Sequence, residues 1–301
     1  MGIDLSGRTA VVTGAGRGIG RATAIELAQL GANVVVNDIG TATDGSGSDV
    51  APAKQVVLEI EDAGGIAAAS TDSVTEYAGA EAIIGTAIDA FGGIDILVNN
   101  AGLSAGMPIW EIDPELFRRV CFSHLLGTFN CTRCAVPHMR KGGWGRIVNI
   151  VSRAGIVGMA GNVAYGAGKG GVFGLTNVVS RDLAADGITV NAVNPASTET
   201  RMVTEAIDRI RGQGGEGAKV ADGLLKTMQR PEDVAVLIAS LCTEEMAHVN
   251  GQIFYVSGTE VGLFQPLRVT QTRSRDQAWT PDELVAALDE FELHPLDGPY
   301  T

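Results

Sequence analysis

Residues 9–13, Thr-Ala-Val-Val-Thr, form a short apolar run that breaks at Gly14 and passes through Gly16, Gly18 and Gly20 into a helical pattern over Gly18 to Leu30. A second apolar run, Asn33 to Asn37 with three consecutive valines, follows at once. Runs that are apolar on both faces are the mark of strands buried in a parallel sheet. Strand, helix and strand at this spacing join as a parallel crossover unit. The start of the chain therefore commits it to an α/β layer architecture.

The alternation continues. Further strands are expected at Ile66 to Ser70, Ile96 to Asn99, Arg146 to Val151, Thr189 to Val193 and Gln252 to Val256. Helical patterns lie between them at Val50 to Ala63, Tyr77 to Phe91, Pro114 to Met139, Val163 to Ala185 and Pro231 to Leu241. This order implies a single Rossmann-type, doubly wound parallel sheet. Residues 1–262 are read as one dinucleotide-binding catalytic domain and 263–301 as a C-terminal extension. Three stretches look like additions to the core. Gly40 to Ala53 is long for a strand-to-helix connection and reads as a flexible surface loop. Thr200 to Arg230, with six basic residues and a glycine cluster, reads as a mobile lid. In the tail, Thr280-Pro281-Asp282-Glu283 spells a capping box that opens a short helix, Pro281 to Phe291.

Charge removes several function classes. Lys and Arg number 22 against 35 Asp and Glu, a net charge of −13, which lacks the basic footprint of nucleic-acid binding. Met1 to Thr13 lacks the pattern of a targeting signal, so the expected compartment is the cytoplasm. Ala154 to Thr176 carries one charge, Lys169, but eight glycines there argue for close backbone packing instead of a membrane span. Four cysteines are too few for a disulfide framework, and Cys131 and Cys134 have no second pair at zinc spacing. No metal site is expected.

Glycines in the turn Thr13 to Gly20 let backbone approach a pyrophosphate, which would rest on the free N–H groups of the following helix. Asp38 ends the second strand, 18 residues beyond Gly20. A carboxylate there can accept both ribose hydroxyls and repel a 2′-phosphate, which favours NAD over NADP. Arg17 pulls the other way, because a guanidinium could meet that phosphate. Tyr165 and Lys169 stand four apart, on one face of a helix, and Ser152 precedes Tyr165 by 13 residues. A phenol acting as a base near neutrality needs a pKa lowered by about three units, which Lys169 and an oxidised nicotinamide could supply.

These residues resemble the short-chain dehydrogenase/reductase family. The matches are Thr13 to Gly20 for T-G-x-x-x-G-x-G, Asn99-Asn100-Ala101-Gly102 for N-N-A-G, Ser152, Tyr165 to Lys169 for Y-x-x-x-K, and Asn194-Pro195 with Thr198 and Thr200, where Ala196 replaces the usual glycine. The resemblance implies that Tyr165 is the acid/base, that Lys169 lowers its pKa and holds the nicotinamide ribose, and that Ser152 binds the reacting oxygen. It also implies cofactor contacts from Gly14, Arg17, Gly18, Ile19, Gly20, Asp38, Asp72, Ser73, Asn99, Ala101, Gly102, Tyr165, Lys169, Pro195, Thr198 and Thr200, and homodimers or homotetramers. At the position where the family places an asparagine, this chain has His124. Two roles are open to it: a proton relay to Lys169, or core packing on a face with Phe117, Val120, Cys121, Leu125 and Thr128.

A narrower resemblance is to the (3R)-hydroxyacyl-CoA dehydrogenase domain of peroxisomal multifunctional enzyme type 2. It rests on Asn37-Asp38-Ile39-Gly40 with the glycine-rich insert, the histidine at position 124 and the long tail. The expected activity is hydride transfer between NAD(H) and a small-molecule secondary alcohol or ketone, with a 3-hydroxyacyl-CoA or similar large apolar substrate in the lead. A steroid or small secondary-alcohol dehydrogenase is the rival, and a non-catalytic NAD(H)-binding sensor the remote one. For a coenzyme A ester, the lid cations Arg201, Arg209, Arg211, Lys219, Lys226 and Arg230, with Arg268, Arg273 and Arg275, are the candidate basic entrance.

Overall fold

The computed structural model describes residues 3–293 except 213 and 266. The chain divides into a first unit, Met1–Leu263, and a second, Phe264–Thr301. The first unit runs β1 (Thr9–Thr13), α1 (Gly18–Gln29), β2 (Asn33–Asn37), α2 (Ala51–Asp62), β3 (Ile66–Ser70), α3 (Tyr77–Phe91) and β4 (Ile96–Asn99). It continues with α4 (Pro114–Cys121), a π turn (Phe122–Leu126), α5 (Gly127–Gly142), β5 (Gly145–Ile150), α6 (Arg153–Ile156), α7 (Val163–Asp182) and β6 (Ile188–Pro195). Then come α8 (Arg201–Gly212), α9 (Gly215–Thr227), α10 (Pro231–Leu241), β7 (Ile253–Ser257) and β8 (Glu260–Leu263).

The strands form one sheet in the order β3-β2-β1-β4-β5-β6-β7-β8. Pairings from β3 through to β7 are parallel, as the double-sided apolar runs require, while β8 is antiparallel to β7. Because side chains alternate, each central strand feeds two cores. Val12, Val34, Val98 and Val193 join Leu27, Ile60 and Ile238 on one face. Val11, Val35, Leu97 and Ile147 join Ile83, Ile84 and Met139 on the other.

The structure adds to or departs from the sequence pattern at three places. The helix expected over Pro114 to Met139 is interrupted, because the Gly127 N–H bonds the Phe122 carbonyl five residues back and widens one turn. That shift breaks the expected apolar face: His124 and Thr128 are buried, whereas Leu125 is exposed. The glycine-rich lid folds as α8 and α9. The edge strand β8 was not foreseen; Ser257 pairs with Glu260 across a two-residue Gly258-Thr259 turn. Cys131 and Cys134 are buried on α5 and pack in the apolar core.

The second unit carries α11 (Pro281–Asp289), two residues shorter than expected. Its capping box is present: the Thr280 hydroxyl accepts from the Glu283 N–H, and the Glu283 carboxylate accepts from the Thr280 N–H at 2.9 Å.

Leu97 lies at the centre of the sheet with no exposed surface. Leu97→Ala should lower the unfolding free energy by about 2–5 kcal/mol, measured by urea denaturation. A loss under about 1 kcal/mol would mean that the two cores do not depend on β4.

Candidate active site

The strand order reverses between β1 and β4, whose following helices cover opposite faces, and this opens a crevice at their carboxyl ends. One hydroxyl shapes it. Thr13 Oγ1 accepts from the N–H groups of Asn100 and Ala101, both at 3.1 Å, and donates to the Val98 carbonyl at 3.3 Å. The Asn100 amide donates to the carbonyls of Thr13 and Gly14, both at 2.9 Å. Gly14 has φ +62°, and a Cβ there would stand 2.8 Å from the Ala101 Cα. The N–H groups of Gly18, Ile19 and Gly20 open α1 and have no carbonyl within the helix to bond. Arg17 is the exposed N-cap. The sequence reading quoted Asn100 within its motif but gave it no role; here it ties the glycine turn to β4.

At the end of β2, Asp38 accepts from the Gly16 N–H at 2.8 Å on one oxygen and from the Gly40 N–H at 2.7 Å on the other. Asn37, also given no role, donates to the Asp72 carbonyl at 2.9 Å and to Ser70 Oγ at 3.2 Å. The Asp72 carboxylate accepts from the Ser70 hydroxyl, and Ser73 shares a hydrogen bond with Thr75. Buried Asn99 donates to Thr132 and Asn149 while its own carbonyl oxygen has no partner.

Ser152 follows β5 and caps α6, accepting from the Ala154 N–H. Tyr165 lies in the first turn of α7, with the Ser152 hydroxyl close enough to draw its pKa downward. Lys169, one turn on, is buried, donates to the Ile150 carbonyl at 2.6 Å and holds its ammonium 5.9 Å from the centre of the Tyr165 ring. The His124 ring meets Tyr165 edge-on, centres 5.1 Å apart. Its Nε2 lies 2.7 Å from the Leu103 carbonyl, which can only accept, so Nε2 carries the proton and Nδ1 is a buried acceptor with no partner among the described residues. A Cβ on Gly102 would fall on this imidazole.

Burial governs the electrostatics. It raises the Tyr165 phenol above its ordinary value, against a smaller pull downward from the Ser152 hydrogen bond. It lowers the Lys169 ammonium to about 7. His124 is held well below the usual imidazole value, by burial first and by the charge of Lys169 second. In the chain alone, burial lifts the phenol by more than the Ser152 hydroxyl lowers it.

Pro195 ends β6, and the segment after it is pinned by a residue the sequence reading missed. Gln229 donates to Thr198 Oγ1 at 3.1 Å and to the Val256 carbonyl at 3.0 Å, and accepts from the Gly258 N–H at 2.7 Å. Thr198 is buried in that network. Thr200 reaches the turn, since a Cβ on Gly18 would stand 2.9 Å from its methyl group. The insert after Asp38 is no free loop. Arg201 of α8 donates to the Thr41 carbonyl at 2.7 Å, Thr43 donates through its hydroxyl to Glu205, and Ser104 donates to the Thr43 carbonyl at 3.2 Å. Most cations of the candidate entrance already face acids: Arg201–Glu205, Arg211–Asp222, Arg230–Asp233, Arg273–Glu290 and Arg275–Glu283.

The crevice fits a dinucleotide: the glycine turn has room for no side chain at Gly14, helix N–H groups are free, and a carboxylate stands at the end of β2. The short chain dehydrogenase family model matches residues 8–210. The chain is 36% identical over 297 residues to hydroxyacyl-CoA dehydrogenase ChsB1 of Mycobacterium tuberculosis, covering 96% of this chain and 89% of that one. It is 36% identical to the mouse peroxisomal multifunctional enzyme type 2, covering 96% of this chain and 37% of that one. A crystal structure of a short chain dehydrogenase from Mycobacterium avium superposes with a TM-score of 0.81 at 36% identity, covering 96% of this chain and 95% of that one.

Lys169 generates a pH dependence of stability. Its pKa is about 7 in the fold against 10.5 as the ordinary value, so between the two the unfolded chain binds more protons and stability rises with pH. One proton is worth about 1.4 kcal/mol per pH unit. Urea titrations from pH 7 to 9 should show wild type gaining stability relative to Lys169→Met. Parallel curves would mean an unshifted lysine.

Proposed function

The chain belongs to the short-chain dehydrogenase family, and on that premise we propose that it transfers hydride between NAD(H) and the hydroxyl-bearing carbon of a 3-hydroxyacyl thioester. It is an oxidoreductase acting on CH–OH groups with a nicotinamide dinucleotide and a small-molecule substrate. The observation that carries the proposed roles is the buried Lys169 ammonium 5.9 Å from the centre of the Tyr165 ring, with the Ser152 hydroxyl acting on the same phenol. Ser152 holds the substrate oxygen, and Tyr165 takes its proton in oxidation and returns it in reduction. Lys169 keeps two N–H donors beyond the one given to Ile150, enough to hold a ribose hydroxyl and a proton path. His124 Nδ1 is the free acceptor beside that ammonium and the candidate for the relay. When bound, the nicotinamide supplies the hydride acceptor or donor.

The substrate class rests on the walls and on the relatives. Buried Ala105, Val120 and Ala164 form an apolar cluster with Leu103, Ile112, Leu116, Phe117 and Tyr165, so the surroundings of the tyrosine are apolar, as suits an acyl chain. The name of hydroxyacyl-CoA dehydrogenase ChsB1 points to the same chemistry. A steroid or simple secondary alcohol is the alternative that the same wall could receive.

Two measurements test this reading. Tyr165→Phe should lower kcat by at least about a hundredfold, the scale of a lost acid/base, while the NADH Kd from fluorescence titration stays within about threefold of wild type. A variant keeping a tenth of the wild-type rate would remove Tyr165 from the proton transfer. For the cofactor, NAD should bind at least about tenfold more tightly than NADP, because Asp38 would face the 2′-phosphate, and Asp38→Ser should narrow the gap. Tighter NADP binding by wild type would give Arg17 the deciding role.

A further inference from the structure

We propose that Arg209 of α8 is the anion-reading residue of the substrate cleft and binds the phosphate of a phosphopantetheine thioester. This rests on the thioester reading of the function and adds to it the residue that would recognise the carrier. Three strand-end segments meet at Gly106: a Cβ there would stand 3.7 Å from the Gly161 carbonyl oxygen, 3.8 Å from Asn162 Oδ1 and 3.8 Å from Arg209 Nη1. Asn162 is the N-cap of α7, whose first turn presents Tyr165, and it bridges to Met107. The Arg209 guanidinium therefore stands beside the segment that leads into the helix carrying the tyrosine.

Its electrostatic situation differs from that of its neighbours. Arg201, Arg211 and Arg230 are each paired with an acid, whereas exposed Arg209 makes no ion pair among the described residues. Glu205, one helical turn away, is already engaged by Arg201 and Thr43. Five N–H donors of a planar fork remain for a ligand, and phosphate oxygens match that geometry. Met107, which bridges to Asn162, and Met159, whose carbonyl accepts from the Asn162 N–H, are exposed, as are Ile109 and Trp110 just after Met107, Trp110 to 79%. An unpaired cation within an apolar rim suits a ligand that is both oily and phosphorylated. In a chain of net charge −13, such a cation sets where a polyanionic ester can enter.

The test compares one 3-hydroxyacyl chain carried on pantetheine, on phosphopantetheine and on coenzyme A, with wild type, Arg209→Gln and Arg209→Lys. Wild type should prefer both phosphorylated esters over the pantetheine ester by about tenfold or more in kcat/KM, through KM. Arg209→Gln should abolish that preference, Arg209→Lys should keep part of it, and the wild-type preference should shrink as salt rises. Better turnover of the same chain on an acyl carrier protein than on coenzyme A would identify the protein-bound form as the source of that phosphate. Equal kcat/KM of wild type on all three small esters, or an equal loss on all three in Arg209→Gln, overturns the assignment and leaves the thioester reading standing. Failure of wild type to oxidise any of the esters, with turnover of a steroid or simple secondary alcohol, overturns both.

Discussion

The hydrogen bonds between Thr13 and Asn100 hold together the part of the molecule on which its chemistry depends. A crevice at a topological switch point leaves two strand ends diverging, with backbone groups that no neighbouring strand can satisfy. Here the Thr13 hydroxyl accepts two of those N–H groups and the Asn100 amide answers two of those carbonyls. The Ala15 N–H goes to the Asn37 carbonyl and the Gly16 N–H to Asp38. What remains unbonded is the first turn of α1, directed at the crevice with the positive end of its dipole. The anion site is thus the residue of a nearly complete hydrogen-bond accounting around it.

Burial then sets the state of the reacting groups. Tyr165 is shifted upward, Lys169 to about 7 and His124 downward, so desolvation moves each of the three toward its neutral form. Neutral groups are far cheaper to enclose in an apolar cluster than charged ones. The chain by itself stores the proton on the phenol and leaves the imidazole as a donor at Nε2 and an acceptor at Nδ1. Lys169, with its ammonium already committed to one carbonyl, is the group in this cluster that titrates near neutrality.

The strands and the glycine turn were legible because they follow from local rules: double-sided apolar runs mean buried parallel strands, and glycines after a strand mean a close backbone approach. Ser152, Tyr165 and Lys169 were legible only as a spaced set. What the sequence hid was long-range. The π turn at Phe122–Leu126 is a choice of hydrogen-bond register that no residue type announces, and it holds both buried His124 and exposed Leu125. Gln229 meets Thr198 and Gly258 across about thirty residues on either side, and such pairings leave no periodicity to read. Charge counting alone could not see that Arg201, Arg211 and Arg230 have acids beside them.

The insert, α8 and the loop after β4 also form one mechanical unit, which follows from a single peptide plane. The Leu103 carbonyl and the Ser104 N–H belong to the same rigid amide. Its oxygen accepts from His124, and its N–H donates to the Thr43 carbonyl. Thr43 is in turn bonded to Glu205 of α8, and Leu103 packs against Gly45. Rotating that plane to release the insert would also pull the carbonyl from the imidazole that borders Tyr165. A segment composed like a loose surface loop is thereby coupled to the ring beside the proposed proton donor, and the coupling needs only two hydrogen bonds on opposite edges of one amide.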